Sequence, residues 1–313
     1  MRIVFMGTPD FAVSSLKALY EAGYEIAAVV TQPDKPKGRK KELTPPPVKE
    51  YALSVSLPVL QPEKLKNGEW DDKLSALGAD LFVVAAFGQI LPQNILDMPK
   101  YGCINLHASL LPEYRGAAPI QQAILDGKKE TGVTIQQMTL ALDSGDIISR
   151  KVVPIDDEDT GGSLFDKLAE EGARLLLETI PRIESGDIDP EPQDESVSSY
   201  VKMLKKEDGR LDFSLPAAVL HNRVRGLSPW PGAFTEIGGK KLRIWKTQVL
   251  DKDEDHEEAG KVLAAGKAGI DIACGQGVLR ILELQPEGKK NMKAADYLLG
   301  HAILIGTKFG QFE

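Results

Sequence analysis

The run Leu81-Phe82-Val83-Val84-Ala85-Ala86 contains no polar side chain and is too short to make a stable helix alone. Such a run suits a strand covered on both faces, as strands are inside a parallel sheet. Apolar stretches recur at residues 2–6, 25–31, 57–60, 102–107 and 131–138, with helical or loop segments between them. After the first of these, Thr8-Pro9-Asp10 supplies a helix cap, a proline at the first helical position and an early carboxylate. Phe11, Leu16, Leu19 and Tyr20 then lie close to a 3.6-residue period, and Gly23 is a natural stop. Repeated strand-helix-strand units predict an α/β fold: a doubly wound, mostly parallel, Rossmann-like sheet. Leu164, Phe165, Leu168, Leu175, Leu176, Ile180 and Ile183 line one face of a long helix that is expected to close this domain.

Past residue 185 the pattern changes. Residues 185–199 mix acids, prolines and serines with few large apolar side chains, which predicts a linker. Beyond it, residues 242–245, 270–272 and 280–284 alternate or nearly alternate in polarity between Gly-rich turns. The 313 residues are long enough for two domains. The expected organisation is a first domain over residues 1–189, a linker over 190–206, and a smaller antiparallel β-barrel, OB-like, over 207–313.

The net charge of −8 argues against indiscriminate coating of nucleic acid. It leaves room for a basic patch, because residues 207–313 hold 15 Lys+Arg against 15 Asp+Glu and the acidity is confined to the first part. Cys103 and Cys274 are far apart and have no His cluster beside them, so neither a disulfide framework nor a zinc site is expected. The N-terminus turns polar at Thr8, unlike a signal peptide or a membrane span. A soluble, cytoplasmic protein with no membrane association is therefore expected.

The densest chemistry lies in Asn105-Leu106-His107-Ala108-Ser109-Leu110-Leu111-Pro112-Glu113-Tyr114-Arg115-Gly116, where a buried strand opens into a loop. In open α/β sheets ligands collect at the carboxyl ends of strands. Alternation along the strand turns Asn105 and His107 to one side and Leu106 to the other. A second cluster, Leu142-Asp143-Ser144-Gly145-Asp146, follows the strand over 131–138. If the two strands are neighbours, Asp143 approaches His107 and orients an imidazole that shares a proton near neutral pH. Each residue alone has a plainer reading: a structural histidine, a turn-forming aspartate, a strand-ending asparagine. Together they would stabilise an oxyanion and move a proton. Cys103 shares the Asn105 face by alternation but reads as a small core residue.

The run from Asn105 to Pro119, with Asp143 following, resembles the signature of the folate-dependent formyltransferase family. The resemblance implies that Asn105, His107 and Asp143 are catalytic, that 10-formyltetrahydrofolate is the co-substrate beside Ser109, Leu110, Leu111 and Pro112, and that no metal takes part. Further segments resemble the members that formylate methionyl-tRNA: Gly7-Thr8-Pro9-Asp10-Phe11, residues 31–41 with 44–49, residues 86–92 and residues 227–233. Initiator methionyl-tRNA is then the implied acceptor, with Lys37, Arg39, Lys40 and Lys41 of a basic loop on its phosphates and the second domain as a further tRNA-binding surface. Arg223, Arg225, Lys240, Lys241, Arg243 and Lys246 are candidates there, and a monomer is expected. Family members acting on aminosugar nucleotides or a purine precursor are the alternative. A dinucleotide-binding oxidoreductase fits poorly, since Gly7 is followed by Thr8-Pro9-Asp10-Phe11-Ala12 where three glycines are needed. A non-catalytic RNA-binding module would have no use for the Asn-x-His strand end.

Overall fold

The computed structural model describes residues 1–37, 42–255 and 258–310. The chain forms two compact units, neither continuous in sequence. The first comprises Met1–Pro119, Glu130–Pro154 and Phe165–Val201; the second comprises Ile120–Lys129, Ile155–Leu164 and Lys202–Glu313. Residues 190–201, the first part of the expected linker, thus pack within the first unit.

The chain begins with β1 (Arg2–Gly7), α1 (Asp10–Glu21) and β2 (Glu25–Val30). A short ribbon, β3 (Lys35–Lys37) and β4 (Glu42–Thr44), precedes α2 (Pro47–Ser54) and β5 (Val59–Leu60). Then come α3 (Asp71–Ser75), β6 (Leu81–Ala85), α4 (Gln93–Leu96), β7 (Cys103–His107) and β8 (Arg115–Gly116). They are followed by α5 (Pro119–Leu125), β9 (Glu130–Gln137), β10 (Ile147–Pro154), α6 (Gly161–Ser185) and β11 (Tyr200–Val201).

Seven strands form one sheet in the order β10-β9-β7-β6-β1-β2-β5. The five from β7 to β5 are parallel, as the apolar runs predict. β6 sits between β1 and β7 with every residue buried, which is why that run carries no polar side chain. Its partners on one face include Met6, Val30, Leu65, Leu91 and Cys103. The sheet is mostly, not wholly, parallel: β9 runs antiparallel to β7, with Asn105 opposite Gln136 and His107 opposite Thr134. β9 therefore starts beside the carboxyl end of β7 and runs back along it. β10 pairs antiparallel with β9. A separate parallel pair joins β8 to β11.

In the second unit, α7 (Ala217–Gly226) precedes β12 (Ala233–Ile237), β13 (Lys240–Asp255), β14 (Val262–Gly266), β15 (Gly269–Ala273), β16 (Gln276–Pro286), β17 (Met292–Lys293) and α8 (Ala294–Gly300). The strands form an antiparallel sheet in the order β12-β13-β16-β15-β14, with β17 added beside β16. Alternation buries Leu242 and Ile244 while Lys241 and Arg243 face water. Leu220 and Val224 of α7 and Ile270, Ile272, Leu279 and Ile281 complete the core.

Candidate active site

β7 ends at the carboxyl edge of the parallel strands with Asn105 half-buried and His107 6% exposed. Leu106 points to the opposite face, where it lies so close to Gly172 of α6 that a Cβ there would meet Leu106 Cδ2 at 2.6 Å. This packing fixes the strand and so the direction of its two polar neighbours. His107 Nε2 is 2.9 Å from the carbonyl oxygen of Tyr114. A carbonyl only accepts, so Nε2 carries the hydrogen and the neutral ring leaves Nδ1 open to a proton. Nδ1 is 3.7 Å from Asp143 Oδ1, within ion-pair range but beyond a hydrogen bond.

Asp143 arrives from the turn between β9 and β10 with φ of +50°, in the left-handed region that aspartate tolerates better than most residues. The Gly116 N–H donates to its Oδ2 at 2.8 Å. Oδ1 accepts from Gln136 Nε2 at 3.2 Å and, at 3.5 Å, from Asn105 Nδ2. The structure thus gathers the three residues singled out in the sequence around one carboxylate. Asn105 offers an amide donor, His107 an ionisable ring nitrogen, and Asp143 a charge beside that nitrogen. The set fits a reaction in which an oxygen becomes negative while a nitrogen gives up a proton.

The loop after β7 is held by its own polar groups. Ser109 is buried and its Oγ donates to Glu113 O at 2.6 Å. Thr134 Oγ1 donates to Ser109 O at 2.7 Å and accepts from the Leu111 N–H at 3.1 Å. Leu111 is also buried, while Leu110 and Pro112 are part-exposed. What residues 109–112 offer a ligand is therefore mainly backbone and the sides of Leu110 and Pro112. Cys103 is buried in the sheet core, and burial pushes its thiol up to about 12, so it stays neutral at physiological pH.

The basic loop leaves the same edge. Its base is tied by Lys49, whose Nζ lies 2.9 Å from both Asp34 carboxylate oxygens, and by Gln61, which donates to Asp34 Oδ1 at 2.8 Å. Hydrogen bonds from Gln61 and Lys49 hold the Asp34 carboxyl below the usual carboxylate range. Lys37 ends β3 opposite Glu42; Arg39, Lys40 and Lys41 lie outside the described residues. In the second unit Arg225 donates to the carbonyls of Asp156 and Asp159, Arg223 to that of Asp208, and Lys246 pairs with Glu158. These three cations have intramolecular partners. Lys240, Lys241 and Arg243 are exposed, Lys241 lying over the Phe234 ring.

Several site residues carry no sequence signal read above. Gln136 is visible as a buried polar residue on β9 only once β9 is known to pair with β7. Gln193 and the role of Arg115 depend on residues 190–201 folding back, which nothing in a Pro-, Glu- and Ser-rich stretch foretells. Among the described residues no group of His, Cys, Asp and Glu is arranged to hold a metal ion, and no helix is long and apolar enough to cross a membrane.

Known proteins resemble the chain throughout. A family model described as "Formyl transferase" matches residues 1–180, and one described as "Formyl transferase, C-terminal domain" matches residues 203–302. The chain is 53% identical over 310 residues to a protein of Bacillus subtilis (strain 168) named methionyl-tRNA formyltransferase, covering 99% of this chain and 98% of that one. It is 50% identical over 315 residues to a protein of the same name from Lachnospira eligens, covering 99% and 100%. A solved N-formyltransferase from Helicobacter canadensis, in complex with folinic acid and dTDP-3-aminofucose, has a similar fold: TM-score 0.68, 19% identity, 91% of this chain and 98% of that one.

Proposed function

The chain belongs to the formyl transferase family, and from that premise we propose that it moves the formyl group of 10-formyltetrahydrofolate to the amino group of initiator methionyl-tRNA. The observation that carries the reading is the meeting of Asn105, His107 and Asp143 in a chain whose full-length relatives bear that activity in their names. The folate donor would supply an activated formyl carbon for the uncharged methionyl amine. The Asn105 amide would donate to the formyl oxygen as it becomes negative. His107, oriented by its Nε2 bond to Tyr114 O, would take at Nδ1 the proton that the attacking amine loses and then pass it to the departing nitrogen. Asp143 would hold the imidazolium that forms.

The loop of residues 109–112 fits a flat ring system that needs backbone partners, because its polar backbone is ordered by Thr134 and Leu110 and Pro112 give apolar sides. Lys37, Arg39, Lys40 and Lys41 would neutralise phosphates of the acceptor arm. Residues 1–189 would form the catalytic domain and 207–313 a tRNA-binding domain. The protein would act as a monomer in the cytoplasm, where translation begins. Transfer of radiolabelled formyl groups to methionyl-tRNA, to an aminosugar nucleotide and to an amine-bearing purine precursor tests the reading. The expected result is kcat/KM for methionyl-tRNA at least 100-fold above the others; equal or faster formylation of the sugar nucleotide would overturn it.

A further inference from the structure

Arg115 is 1% exposed, and each of its five N–H groups has a partner. Nε and Nη2 donate to Gln193 Oε1 at 3.1 and 2.8 Å, Nη1 and Nη2 to the Glu195 carboxylate at 3.0 and 2.7 Å, and Nη1 to the Tyr200 hydroxyl at 2.9 Å. The guanidinium accepts nothing, so the Gln193 atom facing it must be the amide oxygen. The amide nitrogen is thereby turned to the other side. There it donates to the backbone carbonyls of Asp143 at 2.9 Å and Gly145 at 2.7 Å, with Gln136 Oε1 at 3.3 Å. Gln136 in turn accepts from the Gly145 N–H at 3.1 Å and donates to the Asp143 carboxylate.

The neighbouring strand pair acts on the same carboxylate. β8 pairs with β11, Arg115 opposite Tyr200 and Gly116 opposite Val201. Gly116 has φ of +107°, and a Cβ on it would lie 2.5 Å from Val201 O. Its N–H is thus held towards Asp143 Oδ2. Residues 193–201 grip Asp143 twice: by the backbone through Gln193, and by the side chain through the strand that seats Gly116. A turn residue held at positive φ needs such support to keep one conformation.

We propose that Gln193, oriented by Arg115, is a positioning residue that holds Asp143 against His107. It rests on the formyl-transfer reading above, in which Asp143 acts on His107. Neither Gln193 nor Arg115 reaches the Asn105–His107 pair directly, so their effect on rate must pass through the Asp143 turn.

Steady-state formyl transfer by the full chain, with 10-formyltetrahydrofolate and methionyl-tRNA, tests this in six proteins: wild type, Gln193→Glu, Gln193→Met, Asp143→Asn, and each Gln193 change combined with Asp143→Asn. Gln193→Glu keeps the oxygen that Arg115 needs and removes the donor to the Asp143 and Gly145 carbonyls. It should therefore lower melting modestly, because an acceptor oxygen then faces those two carbonyls, while the protein stays folded and kcat falls about 10- to 100-fold. KM for both substrates should stay within about 2-fold. In the Asp143→Asn background the Gln193 changes should cost little more, because the group they position is already disabled. Wild-type kcat in folded Gln193→Glu, or full additivity of its loss with that of Asp143→Asn, would overturn the proposal, and so would a loss confined to KM. A wild-type protein that transfers no formyl group overturns the underlying reading, and a wild type that works while Asp143→Asn works equally well removes Asp143 alone; each is distinguishable from failure of the brace.

Discussion

Asn105 and His107 face one point because alternate strand residues share a side, whereas Asp143 reaches it only through a left-handed turn at φ +50°. His107→Ala or Asn105→Ala should lower kcat about 100-fold or more, the usual cost of removing a group that stabilises an oxyanion, with melting little changed. Asp143→Asn keeps the shape and removes the charge beside Nδ1, so kcat should fall similarly and the pH–rate profile should change. Near wild-type turnover in a folded variant would remove that residue from the mechanism. His221 of the second unit behaves differently: burial, then the nearby Arg225 cation, lowers its pKa below the ordinary 6.5. The unfolded chain therefore takes up the proton more readily than the folded one. Stability from this site is complete above about pH 6.5 and declines as pH falls below it. Between pH 8 and 5 the melting temperature of the wild type should fall relative to that of His221→Gln, and parallel curves would show that the site contributes nothing.

At the scale of elements, the β9–β10 turn is closed so tightly that a Cβ on Gly145 would sit 1.6 Å from the Gln137 carbonyl oxygen. Gly145→Ala must open the turn that carries Asp143. It should cost about 1–3 kcal/mol in stability and lower kcat more than it lowers melting would suggest; full activity would mean that the turn tolerates displacement. The basic loop has a different signature. Changing Arg39, Lys40 and Lys41 together to Ala should weaken use of tRNA and flatten its log-log salt dependence by up to about three units, roughly one for each lost phosphate contact. Folate KM should hardly move. Lost folate affinity with an unchanged salt slope would assign the loop to the donor side.

For the molecule as a whole, the return of residues 190–201 decides where the first unit can be cut. A fragment ending at residue 185 lacks β11 and every side-chain partner of Arg115 described above. Hydrogen bonds to charged groups are worth about 1.5–3 kcal/mol each. A fragment of residues 1–201 should therefore melt several degrees above one of residues 1–185, and equal melting would show that the return segment adds no stability.

Periodicity and the chemistry of short apolar runs sufficed for the parallel core, the closing helix and the antiparallel character of the second half, because burial on both faces, on one stripe and on one side of a strand leave different spacings in sequence. The Asn-x-His strand end was legible for the same reason: two residues apart means one face. That β9 runs antiparallel to β7 was not legible, since a buried strand looks alike in either direction and only the route of residues 108–129 sets it. Nor was the brace on Asp143. Arg115, Gln136 and Gln193 are far apart in sequence and polar, and polar residues carry no periodic signal; what unites them is a buried hydrogen-bond network that exists only after residues 190–201 fold back. Local sequence thus determined the buried strands of the parallel core and which side chains they present, and tertiary structure alone decided what holds the carboxylate in place.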